Sequence, residues 1–140
     1  MNYFNPHISK TKKIILSLIF GIIFLFGSNV TFAEIPPKIF EAIQTANTDE
    51  LVKYLNSSVE LVILEKDDVY SKQQSSIILK NFFAKNAIKT FSIVHQGGKE
   101  DAQYAICKIE STSGKSFRVY FLVKNENNKY LIHQLRIAEE

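Results

Sequence analysis

Residues 102–124 read AQYAICKIESTSGKSFRVYFLVK, two runs of alternating character joined by Thr112-Ser113-Gly114. Alternation with a period of two puts successive side chains on opposite faces of a strand. A three-residue loop ending in glycine suits a type I turn followed by a residue in the left-handed region. That turn sets a register in which Ser111 faces Lys115 and the pairs Ile109–Phe117, Cys107–Val119 and Ala105–Phe121 share one face. Every one of those pairs is apolar. The opposite face carries Lys108–Arg118, Ile106–Tyr120 and Tyr104–Leu122. The first face is core. The second is half apolar, more so than a solvated sheet surface usually is, which marks Tyr104, Ile106, Arg118, Tyr120 and Leu122 as interface candidates.

Working outward, Tyr130–Glu139 extends the ladder, with Val123 expected beside Leu131, Phe121 beside His133, Val119 beside Leu135 and Phe117 beside Ile137. The core face then holds one polar intruder, His133. Upstream, Ile88–Gln96 supplies a further strand before the polar stretch Gly97–Asp101, and His95 closes it as a rim residue. Short connections imply an antiparallel meander of four strands. Before it, Pro36-Pro37 opens a helix at a position where proline costs little, with Ile39, Phe40 and Ile43 as its apolar stripe. Asn47 followed by Glu50 resembles a capping box and starts a second helix carrying Leu51, Val52 and Leu55. Ser58–Leu64, rich in β-branched residues, reads as a strand; Glu65-Lys66-Asp67-Asp68 reads as a polar turn. Ser71 with Gln74 caps a third helix, in which Ile78, Leu79, Phe82 and Phe83 fall on one side. The expected class is α+β: two helices, a strand, a third helix, then the meander.

The chain has 140 residues, 46% of them hydrophobic, with a single Cys, so it is too apolar for disorder and holds no internal disulfide. Its first residues carry Lys10, Lys12 and Lys13 without an acid, followed by the uncharged run Ile14–Phe26 and the small residues Thr31 and Ala33. This is the layout of a secretory signal peptide cleaved after Ala33. The apolar run is shorter than the roughly 20 residues a spanning helix needs; a retained N-terminal anchor is the alternative. The expected domains are therefore a leader over 1–33 and one folded domain over 34–140, exported to the periplasm or secreted. Cys107 is far from the cleavage point, so the protein is not a lipoprotein. Loss of three lysines leaves 14 Lys+Arg against 14 Asp+Glu. A neutral domain lacks the basic footprint of a nucleic-acid binder, and no membrane association is expected once the leader is gone.

The order helix, helix, strand, helix, meander resembles the nuclear transport factor 2-like (cystatin-like) fold, in which a bent sheet wraps three helices into a cone. The strings His95-Gln96-Gly97, Tyr104-Ala105-Ile106, Phe117-Arg118-Val119-Tyr120-Phe121 and Leu131-Ile132-His133-Gln134-Leu135-Arg136-Ile137 are similar to those of an exported family of the Bacteroidota, the domain of unknown function 4783. The resemblance covers the whole domain. It implies the cone fold and carries no assigned activity or catalytic residue.

Cone folds of this superfamily often hold a pocket between sheet and helices. His133, with Phe121 and Cys107 on the same expected face, is the candidate lining for a small hydrophobic ligand. The bland reading of His133 is a core histidine with a backbone partner. Only Glu60 and Glu110 lie inside expected strands, and no inward carboxylate is available to orient an imidazole. Cys107 and His133 sit two strands and one diagonal apart, roughly 10 Å at ~4.8 Å per strand, whereas a nucleophilic pair needs about 3 Å. Two histidines and one Cys outside the leader do not make a zinc set, Asp67-Asp68 lacks the spaced oxygens of a calcium loop, and no phosphate loop is present. No catalytic residue, metal or cofactor is therefore expected. The favoured reading is a non-catalytic small-molecule-binding or protein-interaction module, homodimeric through its outer sheet face. Two others stand: an isomerase-, dehydratase- or hydrolase-type enzyme using His133 with Tyr or Arg support, and an accessory subunit of an envelope complex.

Overall fold

A computed structural model describes residues 34–140; the leader expected over 1–33 lies outside them. Proline at the first helical position loses no hydrogen bond, and α1 (Pro37–Gln44) starts there, burying Ile39, Phe40, Ala42 and Ile43. The side chain of Asn47 accepts from the Glu50 amide at 3.1 Å to open α2 (Thr48–Lys53). Strand β1 (Leu55–Ile63) turns through Leu64-Glu65 into β2 (Lys66–Ser71). Ser71 and Gln74 form a reciprocal capping box for α3 (Lys72–Lys85), as their spacing predicts. Four long strands follow: β3 (Ile88–Lys99), β4 (Ala102–Ser111), β5 (Ser116–Glu126) and β6 (Lys129–Glu139).

All six strands join one sheet in the order β2-β1-β6-β5-β4-β3. Its β1–β6 pair is parallel and the remaining pairs are antiparallel, so the sheet is mixed. The β4–β5 register matches the reading of the Thr112-Ser113-Gly114 turn pair by pair, and Gly114 takes a φ of +85° as that turn requires. At the preceding hairpin Gly98 has a φ of +124°, and a Cβ there would meet the Ala102 carbonyl oxygen at 2.3 Å. Helix and sheet close on a shared core. Phe40 of α1 meets Phe121 with ring centroids 5.5 Å apart, and Phe82 of α3 packs edge-on against Phe117 at 5.2 Å.

Leu55, expected on the second helix, starts β1 instead, and the layout departs from expectation in two larger ways. The sheet has six strands, because Lys66–Ser71 pairs with β1 from Ser58↔Ser71 to Ile63↔Lys66 and only Leu64-Glu65 turns. This strand lies at the sheet edge with its side chains almost all exposed, so it lacks the apolar alternation that announces a strand. Asp67 and Asp68 instead provide the charge that keeps an edge from pairing with other chains.

The second correction concerns β6. Asn127 and Asn128, with φ of +52° and +62°, make a two-residue turn in which Glu126 faces Lys129. Both central residues at positive φ is the hairpin geometry favoured by strand twist. This tighter turn moves the expected pairing by one residue. A bulge then moves it by one more: Val123 pairs with Ile132, whereas Leu122 pairs with Gln134. The extra residue is His133. Phe121 consequently faces Leu135, Val119 faces Ile137 and Phe117 faces Glu139. Because a one-residue slip inverts a strand's faces and a bulge restores them, Leu135 and Ile137 keep their core places. Leu135 takes the place beside Phe121 expected for His133, and Ile132, fully buried, takes the place beside Val123 expected for Leu131, which is only half-buried.

Phe121 is 0% exposed at the centre of this core. Truncation to alanine removes its packing with Phe40 and leaves a cavity, so Phe121→Ala is expected to cost about 3–5 kcal/mol, read as a lower urea midpoint in equilibrium unfolding.

Candidate functional site

The outer face of the sheet gathers the five residues marked as interface candidates. Tyr104 pairs with Leu122, Ile106 with Tyr120, and Lys108 with Arg118, all on the face turned from the core. Tyr104, Ile106, Tyr120 and Leu122 are half-buried there and Arg118 is exposed. Gly97 makes room for the Tyr104 ring: a Cβ at that position would sit 2.9 Å from the phenol oxygen. The same oxygen lies 3.1 Å from Nε2 of His95, and the Tyr104 and Tyr120 rings stand 6.0 Å apart. An aromatic row therefore crosses β3, β4 and β5.

A polar row runs beside it. Arg136 Nη2 donates to Glu60 Oε1 at 3.1 Å, and the Gln134 side-chain amide donates to the same oxygen. The Arg136 guanidinium, then Gln134, hold the Glu60 carboxyl below its ordinary range. Arg118 Nε donates to Glu140 Oε1 at 2.8 Å, with Lys108 Nζ 3.5 Å from the other oxygen, and the Arg118 bond is the main cause of a lowered Glu140 carboxyl. His133 joins this face. Its Nδ1 lies 3.4 Å from Asn56 Nδ2, and its Nε2 is 2.9 Å from Glu126 Oε1 but out of line for a hydrogen bond.

The three residues expected to line a pocket together do not meet. Phe121 and Cys107 are both 0% exposed within the packed core, and His133 stands on the other side of the sheet. Burial pushes the Cys107 thiol up to about 12, so it carries no thiolate at neutral pH and acts as a small apolar residue. The carboxylate that sequence reasoning missed beside His133 is Glu126. Its signal is confined to the Asn127-Asn128 turn, whose φ values set the register that brings the two together. Glu60 and Arg136 meet across the parallel β1–β6 pair, strands joined through more than half the domain, so no local pattern announces them.

A concave site lies elsewhere. Between the β1–β2 turn, the end of α3 and the end of β6, an open cleft of about 850 Å³ is lined by residues including Leu61, Ile63, Leu64, Lys66, Tyr70, Ile78, Phe82 and Lys85. Neither His133 nor Glu126 borders it.

Helices followed by a mixed sheet make this an α+β protein whose fold is that of nuclear transport factor 2-like proteins. A protein of that class and of unknown function from Shewanella baltica superposes with a TM-score of 0.59 at 13% identity, over 89% of this chain and 95% of that chain. Residues 36–138 match the family described as Domain of unknown function (DUF4783), and the chain belongs to that family. A DUF4783 family protein from Bacteroides ovatus is 33% identical with a TM-score of 0.73, over 77% of this chain and 97% of that chain. One from Bacteroides fragilis is 30% identical with a TM-score of 0.72, over 76% and 100%. No curated protein matches.

The Glu60 network has a direct readout. Carboxyl carbon chemical shifts are expected to place the Glu60 titration below the ordinary value of 4.5. In Arg136→Gln the midpoint rises toward that value, because the largest cause of the shift has been removed. The sign follows from a depressed native pKa: the stability this pair adds is present above the unfolded value and is lost as pH falls through the native one.

Proposed function

We propose that this protein is an exported, non-catalytic binding module that pairs with a second copy of itself through the outer face of its sheet. Export rests on the apolar run Ile14–Phe26, preceded by three lysines and followed by Thr31-Phe32-Ala33. The observation that carries the pairing is the composition of the outer face. Its centre is apolar and aromatic: Tyr104, Ile106, Tyr120 and Leu122. Around them charges of both signs meet: Arg136 pairs with Glu60, and Arg118 and Lys108 both lie against Glu140.

A two-fold interface sets a patch against itself, so it must be self-complementary. A single-sign patch repels its own copy. A rim of mixed charge around an aromatic centre suits the task and matches the anatomy of stable interfaces. Five strands of about ten residues, at ~4.8 Å spacing and ~3.3 Å per residue, offer on the order of 800 Å². A stable interface uses about that area on each partner.

Sedimentation velocity on protein purified from cells expressing the full chain tests the reading. A dimer is expected, and Leu122→Glu and Arg118→Glu should each convert it to monomer while circular dichroism stays unchanged. A monomer at every concentration, or a dimer indifferent to both substitutions, would overturn it.

A further inference from the structure

We propose that the cleft between the β1–β2 turn, α3 and the end of β6 binds a small amphiphilic carboxylate, with its apolar body on Ile63, Tyr70, Ile78 and Phe82 and its carboxylate at Lys66 and Lys85. The cleft shares no residue with the outer-face patch, so the two readings stand or fall separately.

Its volume of about 850 Å³ lies within the usual range for small-molecule sites. The floor is apolar, since Ile63, Tyr70 and Ile78 are half-buried against the core and Phe82 belongs to it. Four charged residues line it: Lys66, Lys85, Glu65 and Glu139. Glu139 is already engaged by Lys115, 3.1 Å away. Lys66 and Lys85 form no ion pair with any described residue. Two lysines and one glutamate of the lining are thus left without an ion pair among the described residues, an excess of one positive charge. One carboxylate from a ligand neutralises it.

Leu64 adds an independent observation. Its φ is +59°, a region that favours Gly or Asn and strains a leucine. The turn is held by the Leu64 amide donating to the Ile137 carbonyl at 2.8 Å, a bond any residue would make. The leucine side chain is nevertheless 47% exposed at the cleft wall. It contributes little to the core, and its position costs backbone energy. An apolar ligand seated in the cleft would cover this strained, half-exposed leucine.

Isothermal titration of protein from the full chain with decanoate, 1-decanol and acetyl-Ala-Ala-Leu decides the matter. Decanoate is expected to bind at least ~10-fold more tightly than decanol, equivalent to about 1.4 kcal/mol. Lys66→Gln with Lys85→Gln should erase that preference and leave decanol binding unchanged. Both lysines are exposed, and an unfolding curve checks that the fold persists. Leu64→Asn should weaken decanoate while raising the unfolding temperature, a combination that a purely structural leucine would not produce. Absence of decanoate binding, equal affinity for decanol, or a preference that survives the double lysine substitution would overturn the proposal. Tighter binding of the peptide would overturn it in favour of a chain terminus.

Discussion

The register of β6 is the constraint on which the rest of the domain depends, because this strand is the seam between two halves of the sheet. On one side it runs antiparallel to β5, and on the other it runs parallel to β1. The Asn127-Asn128 turn and the extra residue at His133 together shift its pairing by two residues from the register that alternation alone suggests. With that shift, Ile132, Leu135 and Ile137 all reach the core and each is at most 1% exposed. The same shift sends His133 to the outer face beside Gln134 and Arg136, where Glu60 and Glu126 wait. A bulge kept at such a central place is costly for the ladder, and it yields both a closed core and a polar outer row.

Closure of that core decides where binding can occur. Two aromatic contacts across the layers, Phe40 with Phe121 and Phe82 with Phe117, fill the space between helices and sheet. Cys107, buried beside this layer and held protonated, adds volume without reactivity. Chemistry is thereby displaced outward: to the open end bordered by Leu64, Lys66 and Lys85, and to the outer sheet face.

The parts legible from sequence were those governed by near neighbours. The β4–β5 hairpin could be registered because three turn residues determine the nine pairings from Glu110↔Ser116 to Ala102↔Lys124. The Asn47 and Ser71 caps were legible for the same reason, since each acts over three residues. Strand β2 escaped because an edge strand facing water needs no apolar alternation; Val69, its one branched apolar residue, is 63% exposed. The face of His133 escaped because parity at that point depends on a turn five residues away and on a bulge, each worth one residue. Had either occurred alone, Leu135 and Ile137 would have faced water. The family resemblance was carried by strings that are mainly core alternation, which is why it identified the fold and left the site open. The cleft draws on β1, α3 and the chain's last residues, and Glu60 meets Arg136 across 76 residues of sequence; neither has a local signature.

Charge placement on the outer face follows from the same geometry. Glu60 and Glu140, the carboxylates that anchor its two basic clusters, are both depressed by an arginine as their largest influence. A carboxylate so held stays ionised below the pH at which an ordinary one would protonate. Arg136 and Arg118 therefore keep an ionised partner at a pH where an ordinary carboxylate would have protonated. Exposed pairs of this kind add little to folding stability. Their consequence is specificity, because they fix where each guanidinium lies on a face whose aromatic centre has no direction of its own.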